Sequence, residues 1–73
     1  MIGERLRELR LEKKLTQTQL AEKMNCSQKN ISGYELDQIE LSASVILKYC
    51  HIFQVSADYI LGLEDETGAK KYR

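Results

Sequence analysis

The chain has 73 residues with no proline, four glycines and equal numbers of acidic and basic side chains, so its formal net charge is zero. One domain is the most that this length can fold, and its core leaves no room for a deep catalytic pocket and a cofactor site, which favours a binding module over an enzyme. Charged side chains near Met1 and within the longest apolar run argue against a signal peptide and a membrane span, so we expect a cytoplasmic protein.

Three helices are predicted in the first half of the chain. Residues 2–14 place apolar side chains at helical spacing, which is typical of an amphipathic helix. Thr16 is a good N-cap with a glutamine three residues later, the capping-box pattern of a second helix, and Asn25 suits the left-handed conformation in which helices often end. Ser27 can cap a third helix that runs to about Leu36, so two short helices meet across a short turn.

The second half of the chain predicts two more helices and then a polar segment. Ser42 can cap a fourth helix whose apolar stripe has i, i+3, i+4, i+7 spacing, and further apolar residues leave this helix only a narrow polar face. Ser56 can cap a last short helix. Residues 64–73 are polar and lose the periodicity, as expected of a tail or the start of a linker. We therefore expect an all-α, compact bundle of about five short helices within residues 1–63.

Neither cysteine lies in a metal-ligand or catalytic pattern. Cys26 and Cys50 are far apart, and the chain has a single histidine. A zinc site needs about four ligands, which these residues cannot supply, so we expect no metal and no cofactor. Cys50 next to His51 could suggest a nucleophile with its base, but neighbouring helical residues do not face each other. We expect two reduced thiols of a cytosolic protein, and the alternative is a disulfide in a small secreted protein.

Two segments of the chain resemble one known family. The first segment is the run Gln17-x-x-Leu20-Ala21-x-x-Met24-Asn25-Cys26-Ser27-x-x-x-Ile31-Ser32-x-Tyr34-Glu35. It resembles the helix-turn-helix of phage repressor and Cro-type (Xre-like) proteins. Residues 53–62 resemble the usual ending of that family's domain. The resemblance covers about residues 2–63 and implies a lambda-repressor-like fold, in which the second and third helices form the DNA-reading unit.

The resemblance implies that the polar outer side of the third helix enters the major groove. Gln28 can pair bidentately with adenine N6 and N7, which is worth about 1–3 kcal/mol of discrimination. Lys29 can donate to guanine or reach a phosphate, and Gly33 either lets the backbone approach DNA or contributes nothing. The candidate DNA-binding residues are Gln17, Thr18, Ser27, Gln28, Lys29, Asn30, Ser32, Gly33 and Gln38.

The same resemblance implies two further roles. Gln17 lies in the first turn of the second helix, where the family contacts a phosphate and where helix N–H groups favour anions. Arg10 and Glu35 occupy positions at which the family often has an ion pair that ties the first helix to the third. The alternatives are an exposed glutamine on a capped helix and two independent surface charges.

The charge distribution departs from the family pattern. The family usually has Lys or Arg in the loop after the recognition helix, whereas residues 36–40 read Leu-Asp-Gln-Ile-Glu. Since each neutralised phosphate contributes about 0.9 to the slope of log affinity against log salt, we expect modest nonspecific binding with a shallow slope. Lys14, Asn25 and Gln54 stand at helix ends where the family tends to have glycine, and asparagine suits a left-handed conformation better than the other two.

We expect a transcriptional regulator, a repressor, that binds a palindromic double-stranded operator as a homodimer. The expected pairing residues are Val45, Ile52, Tyr59 and Leu63. One alternative is a protein-interaction module on the same fold, antitoxin-like or regulator-binding, which the neutral net charge and the acidic loop favour. Another alternative is that the chain is the DNA-binding end of a longer regulator.

Overall fold

The computed structural model describes residues 1–63, and all of their regular structure is α-helical. The five helices are α1 (Ile2–Glu12), α2 (Gln17–Met24), α3 (Gln28–Glu35), α4 (Ala43–Phe53) and α5 (Ala57–Leu61). Their number and order confirm the all-α prediction. None of the helices in this part of the chain is long and apolar enough to cross a membrane. The polar tail predicted at residues 64–73 lies outside the described residues.

Hydroxyl caps fix where four of the helices begin. The Thr16 hydroxyl accepts a hydrogen bond from the Gln19 N–H (3.0 Å), and the Gln19 side chain accepts one from the Thr16 N–H (2.9 Å), which completes the predicted capping box. Ser27, Ser42 and Ser56 each accept a hydrogen bond from the N–H three residues later. Each cap satisfies a donor that has no partner inside its helix. All four predicted caps are confirmed.

Left-handed residues follow the helices where the family would have glycine. Lys14, Asn25 and Gln54 have φ angles of 56°, 56° and 55°. Asp37, which the sequence pattern did not single out, has a φ of 58° just after α3. A left-handed conformation costs most non-glycine residues roughly 1–2 kcal/mol, and asparagine and aspartate tolerate it best because their short side chains hydrogen-bond locally. The turns therefore keep the left-handed geometry without glycine.

Residues Met1–Glu40 form one compact unit, in which α3 packs against both α1 and α2. Its buried apolar side chains are Leu6, Leu9, Leu20, Ala21, Met24, Ile31 and Tyr34. Gly3 allows α1 to approach the end of α3 closely, because a Cβ at this position would overlap the Glu35 carbonyl oxygen and lie 2.7 Å from its carbonyl carbon. The position of α1 against α3 therefore depends on a residue without a side chain.

The second unit begins at Leu41, and its described part contains α4 and α5, which pack together. The rings of Tyr49 and Phe53 stack with their centroids 5.9 Å apart and their planes at 21°. Of the predicted apolar stripe of α4, Tyr49, Cys50 and Phe53 are buried, whereas Ile46 is partly exposed. The other buried side chains of this unit are Val55 and Ile60.

Candidate nucleic-acid interface

A buried ion pair fixes α3 against α1. Arg10 donates from Nε to Glu35 Oε2 (2.6 Å) and from Nη2 to Glu35 Oε1 (3.0 Å), while its Nη1 donates to the Leu15 carbonyl oxygen (2.9 Å). Arg10 is 8% exposed and Glu35 is 5% exposed, so they are not independent surface charges. Because both charges are withdrawn from water, the lost hydration of each is offset by its attraction to the other. The two-bond fork also restricts the direction in which α3 leaves α1.

Gln17 extends this contact to the beginning of α3. Its Nε2 donates to Glu35 Oε1 (3.1 Å), and its Oε1 accepts a hydrogen bond from Gln28 Nε2 (2.5 Å). The residue predicted to contact a phosphate and the residue predicted to read a base are thus neighbours, joined through their side chains to the buried ion pair. In this series of hydrogen bonds, Glu35 orients the side-chain amide of Gln17, and Gln17 in turn orients that of Gln28. The carboxamide of Gln28 is therefore held in a defined direction.

Most of the predicted DNA-binding side chains are accessible to solvent. The exposed ones are Thr18, Ser27, Gln28, Lys29 and Gln38, and the partly exposed ones are Gln17, Asn30 and Ser32. The Ser27 hydroxyl accepts a hydrogen bond from the Asn30 N–H (3.2 Å), so it is engaged as the cap of α3. An exposed polar end of a short helix has the shape and the donors that read base edges in the major groove.

Gly33 is buried, and its expected place on the outward surface is wrong. It lies four residues after Lys29 and shares that face of α3, but the chain after the helix folds back over it. A Cβ at Gly33 would lie 2.6 Å from Ile39 Cγ1 and would overlap Ile39 Cδ1. An isoleucine side chain therefore covers the backbone at Gly33, which excludes the open approach of this backbone to DNA.

The loop after α3 closes the helix with its own hydrogen bonds. The Asp37 N–H donates to the Tyr34 carbonyl oxygen (3.2 Å), and the N–H groups of Gln38 and Ile39 donate to the Gly33 carbonyl oxygen (2.8 and 3.2 Å). With Asp37 left-handed, this is the Schellman arrangement of a helix end. These amides are engaged inside the protein, and the loop has no positive side chain to offer a phosphate in their place.

Asp37 also contacts the beginning of α1, a role that the sequence analysis missed. Its Oδ1 accepts a hydrogen bond from the Gly3 N–H (2.9 Å). A carboxylate at the N-terminal end of a helix satisfies a free donor and complements the helix dipole. The available signal was an aspartate just beyond the predicted end of the third helix, since aspartate tolerates the left-handed conformation. Its partner in the first turn of α1 had no such signal.

The residues predicted for pairing differ in their exposure. Leu63 is exposed, whereas Val45, Ile52 and Tyr59 are partly exposed. Val45 and Ile52 are seven residues apart and share one face of α4. Leu47, which lies on another side of α4, is exposed over 56% of its surface. Apolar side chains are thus accessible on more than one side of this helix.

The two cysteines are free thiols in different environments. Cys26 is partly exposed in the turn between α2 and α3, and Cys50 is buried in α4. Burial raises the pKa of the Cys50 thiol, which keeps it protonated near neutral pH. Within residues 1–63, no group of three or more His, Cys, Asp and Glu side chains is placed to hold a metal ion.

Comparison with known proteins identifies the family. Residues 3–66 match the family model described as a helix-turn-helix domain. Over 69 residues, 94% of this chain and 54% of the relative, the chain is 39% identical to the HTH-type transcriptional regulator ImmR of Bacillus subtilis (strain 168). It is 38% identical to the uncharacterized HTH-type transcriptional regulator YobD of the same strain, over 100% of this chain and 65% of the relative.

A phage protein is similar as well. The chain is 35% identical over 63 residues to the immunity repressor protein of Bacillus phage phi105, which covers 86% of this chain and 44% of that protein. The chain thus spans between 44% and 65% of the length of these three relatives. The matched regions include the whole of α2 and α3 with the turn between them. The chain belongs to the phage repressor type (Xre-like) of the helix-turn-helix family.

Proposed function

We propose that this chain is the sequence-specific DNA-binding domain of a bacterial or phage-type transcriptional regulator, a repressor, and that α3 enters the major groove of double-stranded DNA. One observation carries the proposal: side-chain contacts run from the Arg10–Glu35 pair through Gln17 to Gln28. They orient a base-reading carboxamide at the exposed end of a helix. The family, and relatives named as transcriptional regulators and an immunity repressor, support the same function.

In this proposal the base readers lie in the first turn of α3. Gln28 pairs with adenine through N6 and N7, and the neighbouring Lys29 donates to guanine O6 and N7 or to a phosphate. The N-terminal end of α2, with Gln17, contacts a phosphate and sets the register of the protein on the duplex. The remaining polar contacts are assigned to Thr18, Ser27, Asn30, Ser32 and Gln38.

Few phosphates are neutralised in this mode of binding. The loop after α3 contains Asp37 and Glu40 and no basic residue, so the positive charges near DNA come from Lys29 and from α1. Each phosphate contact adds about 0.9 to the salt slope, so the slope should be shallow for a DNA-binding domain. Measuring Kd for a bound duplex at several salt concentrations gives this slope directly, and a steep one would contradict the assignment of contacts.

Two copies of the chain are proposed to bind one palindromic operator. Half-sites about one helical turn apart match the two-fold symmetry of such a dimer. Val45 and Ile52 on α4, with Tyr59 and Leu63, supply the proposed pairing surface. Sedimentation velocity with and without duplex measures the stoichiometry, and we expect two chains per duplex. A single chain per duplex at high protein concentration would argue against pairing.

The function is tested by selection from a random duplex pool at two salt concentrations, with fluorescence anisotropy as the readout of binding. The unaltered protein is compared with the double variant Gln28→Ala/Lys29→Ala. We expect enrichment of a palindromic motif that the double variant does not enrich. Lys48→Ala removes the same charge from α4 and serves as the matched control, which should recover the motif of the unaltered protein.

The opposite outcome would favour the other candidate function. A protein-interaction module on this fold is supported by the zero net charge of the chain and by the acidic loop after α3. It predicts no enriched motif and weak binding that is equal for the unaltered protein and the double variant.

A further inference from the structure

The outward face of α3 is completed by a side chain that does not belong to the helix. Lys29 and Gly33 are four residues apart and share this face, away from the buried Ile31. Gly33 has no side chain, and Ile39 fills the space in which one would begin, with its Cγ1 2.6 Å from the place of a Cβ. Ile39 is nevertheless 41% exposed. One turn after Lys29, therefore, the candidate reading face is apolar and formed by the loop.

Backbone contacts hold Ile39 in this place. Its own N–H and that of Gln38 both donate to the Gly33 carbonyl oxygen. Before them, Asp37 reverses the chain in the left-handed conformation and accepts a hydrogen bond from the Gly3 N–H. The segment that carries Ile39 is thus attached to α3 and to α1. A side chain on a backbone segment that is ordered in advance costs less conformational entropy to bind a ligand than one on a mobile segment.

We propose that Ile39 is a specificity-determining residue that contacts the C5-methyl group of a thymine, next to the bases read by Gln28 and Lys29. The inference rests on the DNA-binding function proposed above. Thymine is the base that presents a methyl group in the major groove, so an aliphatic side chain favours it. The same side chain would bury the amino group of cytosine or the carbonyl of guanine without a hydrogen-bond partner, which is unfavourable.

The competing explanation is purely structural. An apolar contact often accompanies the Schellman arrangement, so Ile39 could serve only to stabilise the end of α3. In that case the loss of its side chain would lower stability and would weaken binding to all DNA sequences equally. The two explanations are separated by sequence dependence, because only a reading role makes the effect depend on one methyl group of one base.

The experiment uses the duplex motif recovered by the selection described above. Each thymine of the motif is replaced in turn by deoxyuridine, which removes only the C5-methyl group, and anisotropy gives Kd for the unaltered protein. We expect one position in each half-site where affinity falls about three- to fivefold, the loss for one buried methyl group. Ile39→Ala should bind the thymine and deoxyuridine duplexes of that position equally. Because the deoxyuridine series needs no variant, a folding defect cannot leave the question undecided.

Two variants sharpen the comparison. Leu11→Ala removes a similarly exposed aliphatic side chain (47%) from α1 and should retain the full methyl effect. Ile39→Val keeps the branch at Cβ and shortens the side chain, so it should retain part of the effect. Thermal unfolding followed by circular dichroism establishes that each variant folds.

The outcomes that overturn the inference are distinct from those that overturn the proposed function. Ile39 does not read thymine if no position of the motif shows a methyl effect with the unaltered protein. The same conclusion follows if the effect persists in Ile39→Ala, or if Ile39→Ala weakens binding to every sequence equally. If binding to the motif depends on Gln28 but not on any thymine methyl group, the proposed role of Ile39 is wrong and the proposed DNA-binding function stands. If the selection enriches no motif, both the proposed function and the inference that rests on it are wrong.

Discussion

The two ends of α3 are stabilised by different kinds of contact. At the C-terminal end, Glu35 is buried against Arg10, and the following loop is bound to the first turn of α1 through Asp37. At the N-terminal end, Gln28 and Lys29 are exposed, and a side-chain contact with Gln17 orients Gln28. The C-terminal end therefore determines where the helix lies, and the N-terminal end is free to determine what it binds. Substitutions of Arg10 or Asp37 at the first should change stability, and substitutions of Gln28 or Lys29 at the second should change DNA affinity.

The largest effect is expected from Arg10→Met, which leaves Glu35 buried without its ionic partner. Breaking a buried pair by removing one partner costs about 3–5 kcal/mol, so the free energy of unfolding should fall by at least the lower figure. Urea unfolding followed by circular dichroism measures the change. Arg7→Met is the matched control, because Arg7 is exposed on the same helix. Equal stability of the two variants would show that the ion pair does not hold α3.

Gly3→Ala should be the next most damaging change. The added methyl group would overlap the carbonyl oxygen of Glu35, a backbone atom that cannot move without shifting the end of α3. Overpacking costs about 1–3 kcal/mol, which outweighs the helix propensity that alanine gains over glycine, about 1 kcal/mol. A thermal melt that shows an unchanged or higher Tm would mean that α1 can move away from α3 at no cost.

Gln28→Ala tests the other end of the helix. We expect a loss of about 1–3 kcal/mol in discrimination at a single base pair of the selected motif, together with a change in stability within about 0.5 kcal/mol. Competition anisotropy against duplexes with single base changes measures the first quantity, and urea unfolding measures the second. A uniform weakening for all sequences would show that Gln28 supports the helix and does not read adenine.

The smallest effect on stability is expected from Gly33→Ala. Its new methyl group would overlap only the Cγ1 and Cδ1 atoms of the Ile39 side chain, which is exposed and can rotate away. The gain in helix propensity, about 1 kcal/mol, should balance that adjustment, so stability should stay constant or rise slightly. Urea unfolding alongside Gly3→Ala makes the comparison direct, since both changes add one methyl group to a helical glycine. A loss as large as that of Gly3→Ala would mean that Ile39 cannot move.

The local features of the fold could be predicted from the sequence because they depend on residues close together in the chain. A cap such as Thr16 or Ser27 acts on an N–H three residues away, so its pattern is visible in the sequence. The left-handed conformation at Asn25 is similarly local. The partnership of Arg10 and Glu35 was available only through the family resemblance, because the two residues are 25 positions apart.

Two features of the candidate site could not have been found from periodicity. The hydrogen bond between Asp37 and Gly3 joins residues 34 positions apart, and no sequence pattern around either residue indicates its partner. Helical spacing correctly put Gly33 on the same face as Lys29, but it cannot show that a loop returns over that face. Ile39 follows the helix and would be assigned from sequence to a solvated connection. The proposed reading face thus includes a residue that belongs to no helix.

The left-handed conformation of Lys14 bears on how this domain could evolve. A glycine there would avoid a steric cost of roughly 1–2 kcal/mol. Part of this gain in stability would be lost, because glycine increases the conformational entropy of the unfolded chain. The hydrogen bond from the backbone N–H of residue 14 to the Leu11 carbonyl oxygen would be kept, since glycine retains this donor. The fold thus holds a reserve of stability at a turn outside the proposed DNA-binding residues. A lineage that acquired this glycine could tolerate destabilising changes on α3, and so could reach operator specificities that are closed to the present sequence.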